Sequence, residues 1–506
     1  MSSLLTDKFS GNNLRVTQAT GDLSAKSLSS IDQLILVLPD RTKDAVWRKV
    51  PSGARIKALL RRRKKGAIPA VSTRLNNKRQ TAVHVATLGA GGDAFDRLTR
   101  ARRLVTAALR EKGGSLGICV LGFDEANRER WTRDVVRAAL AVAFPMPHFK
   151  AEPSPPAIRS LRVLGLADKL DLASLEAEAS GNNLARWLTA LPANVLDAPA
   201  YVALLKELAT EHGWQFKRYS TAELRKLGAG AFLAVAQGNA DDSAAIVRLR
   251  YRPANAKRHA PLALIGKGII FDTGGTNLKP FMSMLDMHID MGGSAVAVGT
   301  LLALSSLGVS RPIDCWLAIT ENRTGPTAYK SQDVVTAANG KTIQTIHTDA
   351  EGRMALADTL VLAGREKPEL IVDFATLTGA CINAVTTRYS GVFTNRVELH
   401  PVLKRSGQEC GERVWPFPMG KEFLEELKSE TADLRQCSPN GGGDHILAAS
   451  FLNEFVEPSI PWIHIDLSAT TRKGGLAHIP SEITGFGVRY SLHLLLNNDP
   501  MKHVAS

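Results

Sequence analysis

A chain of 506 residues with 44% hydrophobic and 22% charged residues has the composition of a globular protein, which excludes global disorder. Its length allows two to four domains, each with a core of its own. Residues 1–13 lack the apolar segment of a signal peptide, and we see no apolar run near the ~20 residues that cross a bilayer. Five cysteines without paired spacing argue against a disulfide framework, so we expect a cytoplasmic protein without a membrane partner.

The net charge of +14 is confined to the first third of the chain. Residues 1–180 carry 31 basic and 17 acidic side chains, whereas the remainder is balanced. The densest basic run consists of Arg55, Lys57, Arg61, Arg62, Arg63, Lys64 and Lys65. Such a run occurs in nucleic-acid-binding proteins and also on ordinary solvated or interdomain surfaces. No aromatic residue interleaves with it and no DNA-binding motif surrounds it, which favours the solvated surface.

The first third alternates predicted strands and helices. Apolar runs predict strands at 34–38, 81–86, 116–121 and 160–164, and helical spacing predicts helices at 93–109 and 125–142. A proline-rich stretch at 144–156 interrupts regular structure near a boundary. Strand–helix alternation favours an α/β layer fold. We therefore predict a smaller, basic N-terminal α/β domain at residues 1–170.

From about residue 180 the alternation restarts. Buried strands are predicted at 245–251, 262–271, 314–319, 370–374 and 462–467, with helices at 292–307, 355–363 and 446–455. This pattern predicts a larger C-terminal α/β domain, residues 180–506, with a mixed central sheet covered by helices.

Two charged residues interrupt the apolar strand predicted at 262–271. Lys267 lies within the strand, and Asp272 ends it before a Thr-Gly-Gly turn. A buried ammonium loses pKa units through desolvation, and a neutral amine can bind a metal or act as a base. Carboxylates at strand ends mark active sites in open α/β sheets. A structural Lys267–Asp272 ion pair is the alternative, and the segment alone does not decide.

A second charged segment precedes the helix predicted at 355–363. Asp349 and Glu351 are two residues apart, so in an extended segment both side chains point the same way. The alternative is ordinary helix N-terminal chemistry, in which Thr348 or Asp349 caps the helix. Arg353 adds a charge that is suited to binding an anion.

Together the two segments can form a metal site. Two divalent ions about 3.5–4 Å apart need several carboxylate oxygens, at least one of which bridges. Asp272, Asp290, Asp349 and Glu351 can supply these oxygens, and Lys267 an amine. No Cys or His belongs to the group, so it suits Mn, Mg or Zn rather than a thiolate site. The sequence predicts a metal-dependent hydrolase.

Both segments resemble the signature of the leucyl aminopeptidase family, the cytosolic exopeptidases with two metal ions. The family's Asn-Thr-Asp-Ala-Glu-Gly-Arg-Leu corresponds to residues 347–354, with His347 and Met354 as the two differences. The upstream Gly-Lys-Gly-x-x-Phe-Asp-x-Gly-Gly-x-x-x-Lys-Pro pattern is complete from Gly266 to Pro280. Further agreement occurs at 375–381, 441–443 and 462–466. The resemblance covers about residues 180–490, whereas residues 1–170 match the family only by position and layout.

This resemblance implies a role for each site residue. The metal ligands would be Lys267, Asp272, Asp290, Asp349 and Glu351. Lys279 would polarise the scissile carbonyl. Arg353, helped by the Leu377 backbone, would hold bicarbonate as general base toward a metal-bridging hydroxide. The pocket for the first residue would be shaped by Met287, Thr376 and Gly379.

The implied activity is removal of N-terminal residues from peptides, with a preference for apolar residues such as Leu. The implied enzyme is a homohexamer with two Mn or Zn ions per subunit and bicarbonate. We expect His347 to line the pocket rather than bind metal, and His288 to pack or orient. The alternative is a DNA-binding regulatory protein on an aminopeptidase scaffold, which the basic first domain motivates.

Overall fold

The computed structural model describes residues 9, 14–20, 23–63, 66, 68–89, 91–111, 113–151, 158–254, 256 and 260–504. Lys64, Lys65, most of residues 1–13 and residues 152–157 of the proline-rich stretch lie outside these ranges. The chain divides into two compact units. The N-terminal unit comprises residues 10–179 and 473–484, and the C-terminal unit comprises residues 1–9, 180–472 and 485–506.

The described part of the N-terminal unit contains a six-stranded sheet in the order β1-β6-β5-β2-β4-β3. Its strands are β1 (Arg15–Ala19), β2 (Gln33–Pro39), β3 (Val71–Arg74), β4 (Ala82–Leu88), β5 (Ser115–Val120) and β6 (Ser160–Leu164). Its helices are α1 (Ala25–Leu28), α2 (Asp44–Lys49), α3 (Gly53–Arg61), α4 (Ala94–Ala108) and α5 (Glu125–Val142). Only the edge strand β3 is antiparallel to its neighbour, so the central strands need helical crossovers.

The C-terminal unit is larger. Its strands are β7 (Gln215–Ser220), β8 (Ala245–Tyr251), β9 (Leu262–Asp272), β10 (Ile313–Asn322), β11 (Val334–Thr336), β12 (Thr342–Gln344), β13 (Leu370–Ala375), β14 (Ser390–Thr394), β15 (Val414–Pro416), β16 (Leu434–Arg435) and β17 (Trp462–Asp466). Its helices are α6 (Leu172–Thr189, which spans the boundary), α7 (Ala198–Glu211), α8 (Thr221–Lys226), α9 (Gly230–Ala236), α10 (Phe281–Met284), α11 (Gly292–Ser306), α12 (Glu351–Gly364), α13 (Gly379–Val385), α14 (His400–Cys410), α15 (Lys421–Leu424), α16 (Asp444–Asn453) and α17 (Val488–Asn497).

A mixed sheet forms the centre of this unit and confirms the predicted mixed α/β fold. Within the described residues it has eight strands in the order β15-β14-β17-β13-β9-β10-β8-β7. The four middle strands, β17, β13, β9 and β10, are mutually parallel. Their carboxyl ends therefore meet at one edge of the sheet. Strand β9 is buried along almost its whole length because helices pack against it, which explains its continuous apolar run.

Helix α11 packs closely against the sheet because small residues begin it. A Cβ on Gly293 would lie 2.2 Å from the Phe374 carbonyl oxygen, so no larger residue fits this approach. Residues Met287–Ser306 are long and apolar enough to cross a membrane by length and composition, a stretch that the sequence prediction missed. Its most apolar window is 83% buried inside the protein, as in the core helix of a globular unit. No other such helix occurs among the described residues.

A buried polar network joins β13 to β17. Asp373 accepts hydrogen bonds from Trp462 Nε1 and His464 Nδ1, each 2.6 Å long, and all three side chains are buried. Burial opposes a charge on His464, but the Asp373 carboxylate outweighs it and raises the pKa of His464. The Asp373 carboxylate gives Trp462 Nε1 and His464 Nδ1 an acceptor at the centre of the sheet, where an unpaired donor is costly.

We expect Asp373→Ala to lower the free energy of unfolding by about 3–5 kcal/mol, since it leaves buried donors without an acceptor. Urea unfolding followed by tryptophan fluorescence measures the change. The stability from the raised His464 pKa should be present below the ordinary histidine pKa and be lost as pH rises through the folded-state value. Unchanged unfolding of Asp373→Ala would contradict a structural role for this network.

Candidate metal centre

The parallel strands of the C-terminal unit deliver polar residues to one edge of the sheet. Asp272 ends β9, Asn322 ends β10 and Asp466 ends β17. Asn322 Nδ2 donates to Asp272 Oδ1 over 2.8 Å, which fixes that carboxylate. Carboxyl ends of parallel strands are the usual place for an active site in an open α/β sheet.

Two glycines form the turn that follows Asp272. Gly274 and Gly275 have φ angles of +87° and +66°, which residues with a Cβ rarely adopt. The Gly274 N–H donates to Asp272 Oδ1 over 2.8 Å. A Cβ on Gly275 would lie only 2.9 Å from Thr348 Oγ1, so the turn can approach the second motif closely.

Reciprocal hydrogen bonds join the two sequence motifs. The Thr348 N–H donates to Asn277 Oδ1, and the Asn277 N–H donates to Thr348 Oγ1, each over 2.8 Å. Thr348 Oγ1 also donates to the Gly274 carbonyl over 2.6 Å. The threonine thus holds the β9 turn against the start of α12, although 74 residues separate it from Gly274.

The capping interpretation of the second motif is wrong. The residue before α12 is Ala350, which makes no side-chain cap, and Glu351 is the first helical residue. Thr348 bonds the upstream turn instead of the helix. Glu351 can therefore point toward the carboxylates of Asp272 and Asp290 while it remains close to the helix N-terminus.

Lys267 lies between the carboxylates of Asp290 and Glu351. Its Nζ is 2.8 Å from Asp290 Oδ2, 2.9 Å from Glu351 Oε1, and donates to the Thr376 carbonyl over 2.8 Å. Gly352 leaves the space for this side chain, because a Cβ there would lie 2.7 Å from Lys267 Cε. Lys267 and Asp272 are therefore not each other's ion-pair partners, which argues against the alternative of a structural ion pair.

The charge state of Lys267 also differs from the expectation of a neutral amine. Burial opposes the ammonium charge, but the carboxylates of Asp290, Glu351 and Asp272 outweigh it and raise the pKa of Lys267. In these contacts Lys267 is an ammonium ion. Binding a metal through Nζ requires that the ion displace this proton.

Lys279 approaches the same cluster from the loop before α10. Its Nζ lies 2.8 Å from Asp272 Oδ2 and also contacts Asp349 Oδ1. Burial opposes the charge, but Asp272 and Glu351 raise the pKa of Lys279. The lysine is thus a protonated donor at neutral pH and lines the same cavity as the carboxylates.

The carboxylates are close enough to share a cation. Oxygens of Asp272, Asp290 and Glu351 all lie within 4.8 Å of one another. Burial, together with neighbouring carboxylates, raises the pKa of Asp290 and of Glu351 to about 7 each, and that of Asp349 to about 6. Like charges this close cannot all ionise without a compensating cation.

The residues present fit divalent metal ions. Four carboxylates face only two ammonium groups, Lys267 and Lys279, which leaves an excess of negative charge. Glu351 Oε2 is buried and accepts no hydrogen bond from the described residues. An unsatisfied carboxylate oxygen beside other carboxylates is the donor that Mn, Zn or Mg requires.

Arg353 already has an anionic partner in the protein. Its Nη2 donates to both carboxylate oxygens of Asp444, over 2.8 and 2.7 Å, and its Nη1 donates to the Gln436 carbonyl over 3.2 Å. The Leu377 N–H, which the resemblance assigns to the same anion, donates to Asp466 Oδ1 over 3.2 Å. Both groups predicted to hold bicarbonate therefore contact carboxylates of this chain.

A cavity of about 840 Å³ surrounds these groups. Among its lining residues are the predicted pocket residues Met287, Thr376, Leu377, Gly379 and His347. Thr376 has a second contact, since its Oγ1 donates to Asp290 Oδ1 over 2.7 Å. His347 Nδ1 accepts from the Asp349 N–H over 3.3 Å, and burial lowers the pKa of His347. His288 lies outside the described lining of the cavity.

Sequence reasoning missed several residues that build the site. Tyr329 donates from its hydroxyl to the Thr348 carbonyl over 2.8 Å. Gln436 accepts from the N–H groups of Ile346 and His347, each over 3.1 Å. Asp444 could have been identified from the sequence, because it directly follows the glycines at 441–443, which agree with the family pattern. Asn322 and Tyr329 occupy no recognisable motif.

The fold and the carboxylate cluster define a metalloenzyme with an α/β catalytic unit, and comparisons with known proteins identify its family. The profile of the cytosol aminopeptidase family, catalytic domain, matches residues 183–492. A probable cytosol aminopeptidase of Prochlorococcus marinus (strain MIT 9313) is 38% identical over 405 residues, covering 78% of this chain and 81% of that protein. The chain belongs to the cytosol aminopeptidase family.

Solved structures agree over nearly the whole chain. The leucyl aminopeptidase of Leishmania major in complex with actinonin has a TM-score of 0.81 and 25% identity, covering 96% of this chain and 94% of its own. The bottromycin maturation enzyme BotP in complex with Mn has a TM-score of 0.79 and 29% identity, covering 92% and 99%. Membership makes this protein a metal-dependent exopeptidase of the aminopeptidase class and confirms the predicted family.

Proposed function

We propose that the protein removes single N-terminal residues from peptides with two divalent metal ions and prefers apolar first residues such as Leu. One observation carries the proposal. Oxygens of Asp272, Asp290 and Glu351 lie within 4.8 Å of one another, and Lys279 lines the same cavity. Such a site suits hydrolysis because it combines cation ligands with a positively charged hydrogen-bond donor.

The metal ligands and Lys279 have proposed roles. The ligands are Lys267, Asp272, Asp290, Asp349 and Glu351. Bound ions would supply Lewis acidity, polarising the carbonyl and lowering the pKa of a water molecule. Lys279 would donate to the carbonyl oxygen as negative charge develops there.

The proposed preference for apolar residues follows from the cavity wall. Met287, Leu377, Gly379 and the half-exposed Ile382 line the cavity and offer no charged group to a substrate side chain. A substrate with a free α-amine would place that amine at the metal centre, which limits cleavage to the first peptide bond.

Hydrolysis of leucine-p-nitroanilide and of a dipeptide panel by protein loaded with Mn or Zn is the direct test. We expect release of the first residue only, shown by mass spectrometry of a longer peptide. Acetyl-leucine-p-nitroanilide is the matched control and should not be cleaved, because its amine is blocked. Cleavage of internal bonds, or no hydrolysis of the whole panel, would contradict the proposal.

Removal of the metal should abolish this activity. We expect o-phenanthroline or EDTA to inactivate the enzyme and added Mn or Zn to restore it, with Mn tried first because a similar structure is complexed with Mn. Elemental analysis should find two ions per chain in active protein. Full activity of protein free of bound metal would contradict the assignment of the cluster.

Three finer expectations stay predictions. The catalytic domain at 180–506 is supported by the family match to 183–492, and the cytoplasmic location by the names of the relatives. A homohexamer is testable by light scattering.

The comparisons do not support the DNA-binding alternative, and Lys57 of the basic run pairs with Asp44. Bicarbonate would have to displace Asp444 to bind the Arg353 guanidinium.

A further inference from the structure

Asp444 is held in the cavity by a buried arginine. It begins α16 directly after Gly443, whose φ of +64° sets the turn into the helix. Both of its oxygens accept from Arg353 Nη2. The Arg353 side chain is 2% exposed, whereas the Asp444 side chain is 29% exposed, so the carboxylate faces the cavity. A buried guanidinium that is bidentate to one carboxylate fixes the position of that carboxylate.

Asp444 is the partly exposed carboxylate of the cavity that is not a proposed metal ligand. Those of Asp272, Asp290, Asp349 and Glu351 are the proposed metal ligands. Asp466 is buried, and its oxygens accept from Thr378 Oγ1 and from the Leu377 and Thr378 N–H groups. Burial raises the pKa of Cys437, so this thiol stays protonated. These exclusions cover the carboxylates and the thiol among the described residues that line the cavity.

We propose that Asp444 is the proton acceptor of the hydrolysis and occupies on Arg353 the place of an external anion, so that the enzyme needs no bicarbonate. The inference rests on the proposed function. A carboxylate oxygen of Asp444 takes a proton from the attacking water as the oxygen–carbon bond forms. The same proton passes to the leaving nitrogen as the carbon–nitrogen bond breaks. One water is consumed, and Asp444 ends as a carboxylate.

Two substitutions separate this role from a structural one. Asp444→Ala removes the acceptor and opens the Arg353 guanidinium, whereas Asp444→Asn removes the acceptor and keeps the site filled. We expect each to lower kcat by about 10²–10⁴-fold with little change in KM, the usual contribution of a general base. Millimolar bicarbonate or formate should restore part of the activity of Asp444→Ala and none of that of Asp444→Asn. The wild type should be equally active in buffer with and without dissolved CO₂.

Binding of ¹³C-labelled bicarbonate gives a readout that does not depend on turnover. By NMR we expect binding to Asp444→Ala, but not to the wild type or to Arg353→Ala/Asp444→Ala. Metal content should be unchanged in all of them, since Asp444 is not a proposed ligand. Saturable bicarbonate binding to the wild type would overturn the inference even if no peptide were cleaved. Full turnover of Asp444→Ala, or its loss without rescue by either anion, would also overturn it. An inactive wild type that binds no bicarbonate would refute the proposed function alone.

Discussion

Glu351→Gln is expected to lower kcat by about 10³-fold or more and to lower the amount of bound metal. Glu351 is buried, pairs with Lys267 through Oε1 and has no hydrogen-bond partner at Oε2 among the described residues. The isosteric amide keeps the packing but offers a cation only one neutral oxygen. A Lewis-acid contribution of several kcal/mol corresponds to about a thousandfold in rate.

Elemental analysis and kcat at saturating metal measure the two effects. Glu425→Gln is the matched control, because Glu425 is 64% exposed and pairs only with the similarly exposed Lys428 in the ion pairs of the described residues. We expect the control to keep wild-type turnover and metal content. Wild-type turnover of Glu351→Gln at full metal content would remove Glu351 from the proposed ligands.

Lys279→Ala is expected to lower kcat by about 10²–10³-fold while KM changes little. The loss of one donor that stabilises a developing oxyanion has this size, and the effect falls on the transition state rather than on substrate binding. Lys279 Nζ contacts Asp272 and Asp349, which places the ammonium group in the cavity beside the proposed metal ligands. Initial rates over a range of leucine-p-nitroanilide concentrations separate kcat from KM.

Lys428→Ala removes an exposed lysine and should leave both constants at their wild-type values. Circular dichroism of Lys279→Ala checks that the fold is kept. The variant should also keep its metal, since Lys279 is not a proposed ligand. A rise in KM at unchanged kcat would assign Lys279 to ground-state binding and contradict the proposed role.

The strands that sequence patterns predicted are those whose burial demands apolar runs. β2, β9 and β13 lie inside their sheets and are buried on both faces, so their composition alone indicates them. Most of the unpredicted strands are short or lie at edges, as with β7, which is largely exposed, and β16, which has two residues. Such strands depend on their neighbours rather than on a pattern of their own. The exception is β14, which is buried and lies inside the sheet.

The candidate site also has features that the sequence could predict and features that it could not. The motif residues could be predicted because several charges stand close together in apolar sequence, which is costly without partners. The ionic partner of each charged residue could not be predicted from the sequence. Lys267 pairs with Asp290 and Glu351 rather than Asp272, and Arg353 pairs with Asp444, which is 91 residues away.

The class of fold, the family and the charged residues of the site could be read from the amino-acid sequence, because burial patterns and motif spacing are local properties of the chain. Three-dimensional contacts were needed to show that Thr348 joins two loops instead of capping a helix, and that Asp444 is the carboxylate that pairs with Arg353. Those contacts join segments that only the parallel sheet brings to one edge. A hydrogen bond extends over about 3 Å, so its partner is known only once the sheet order is known.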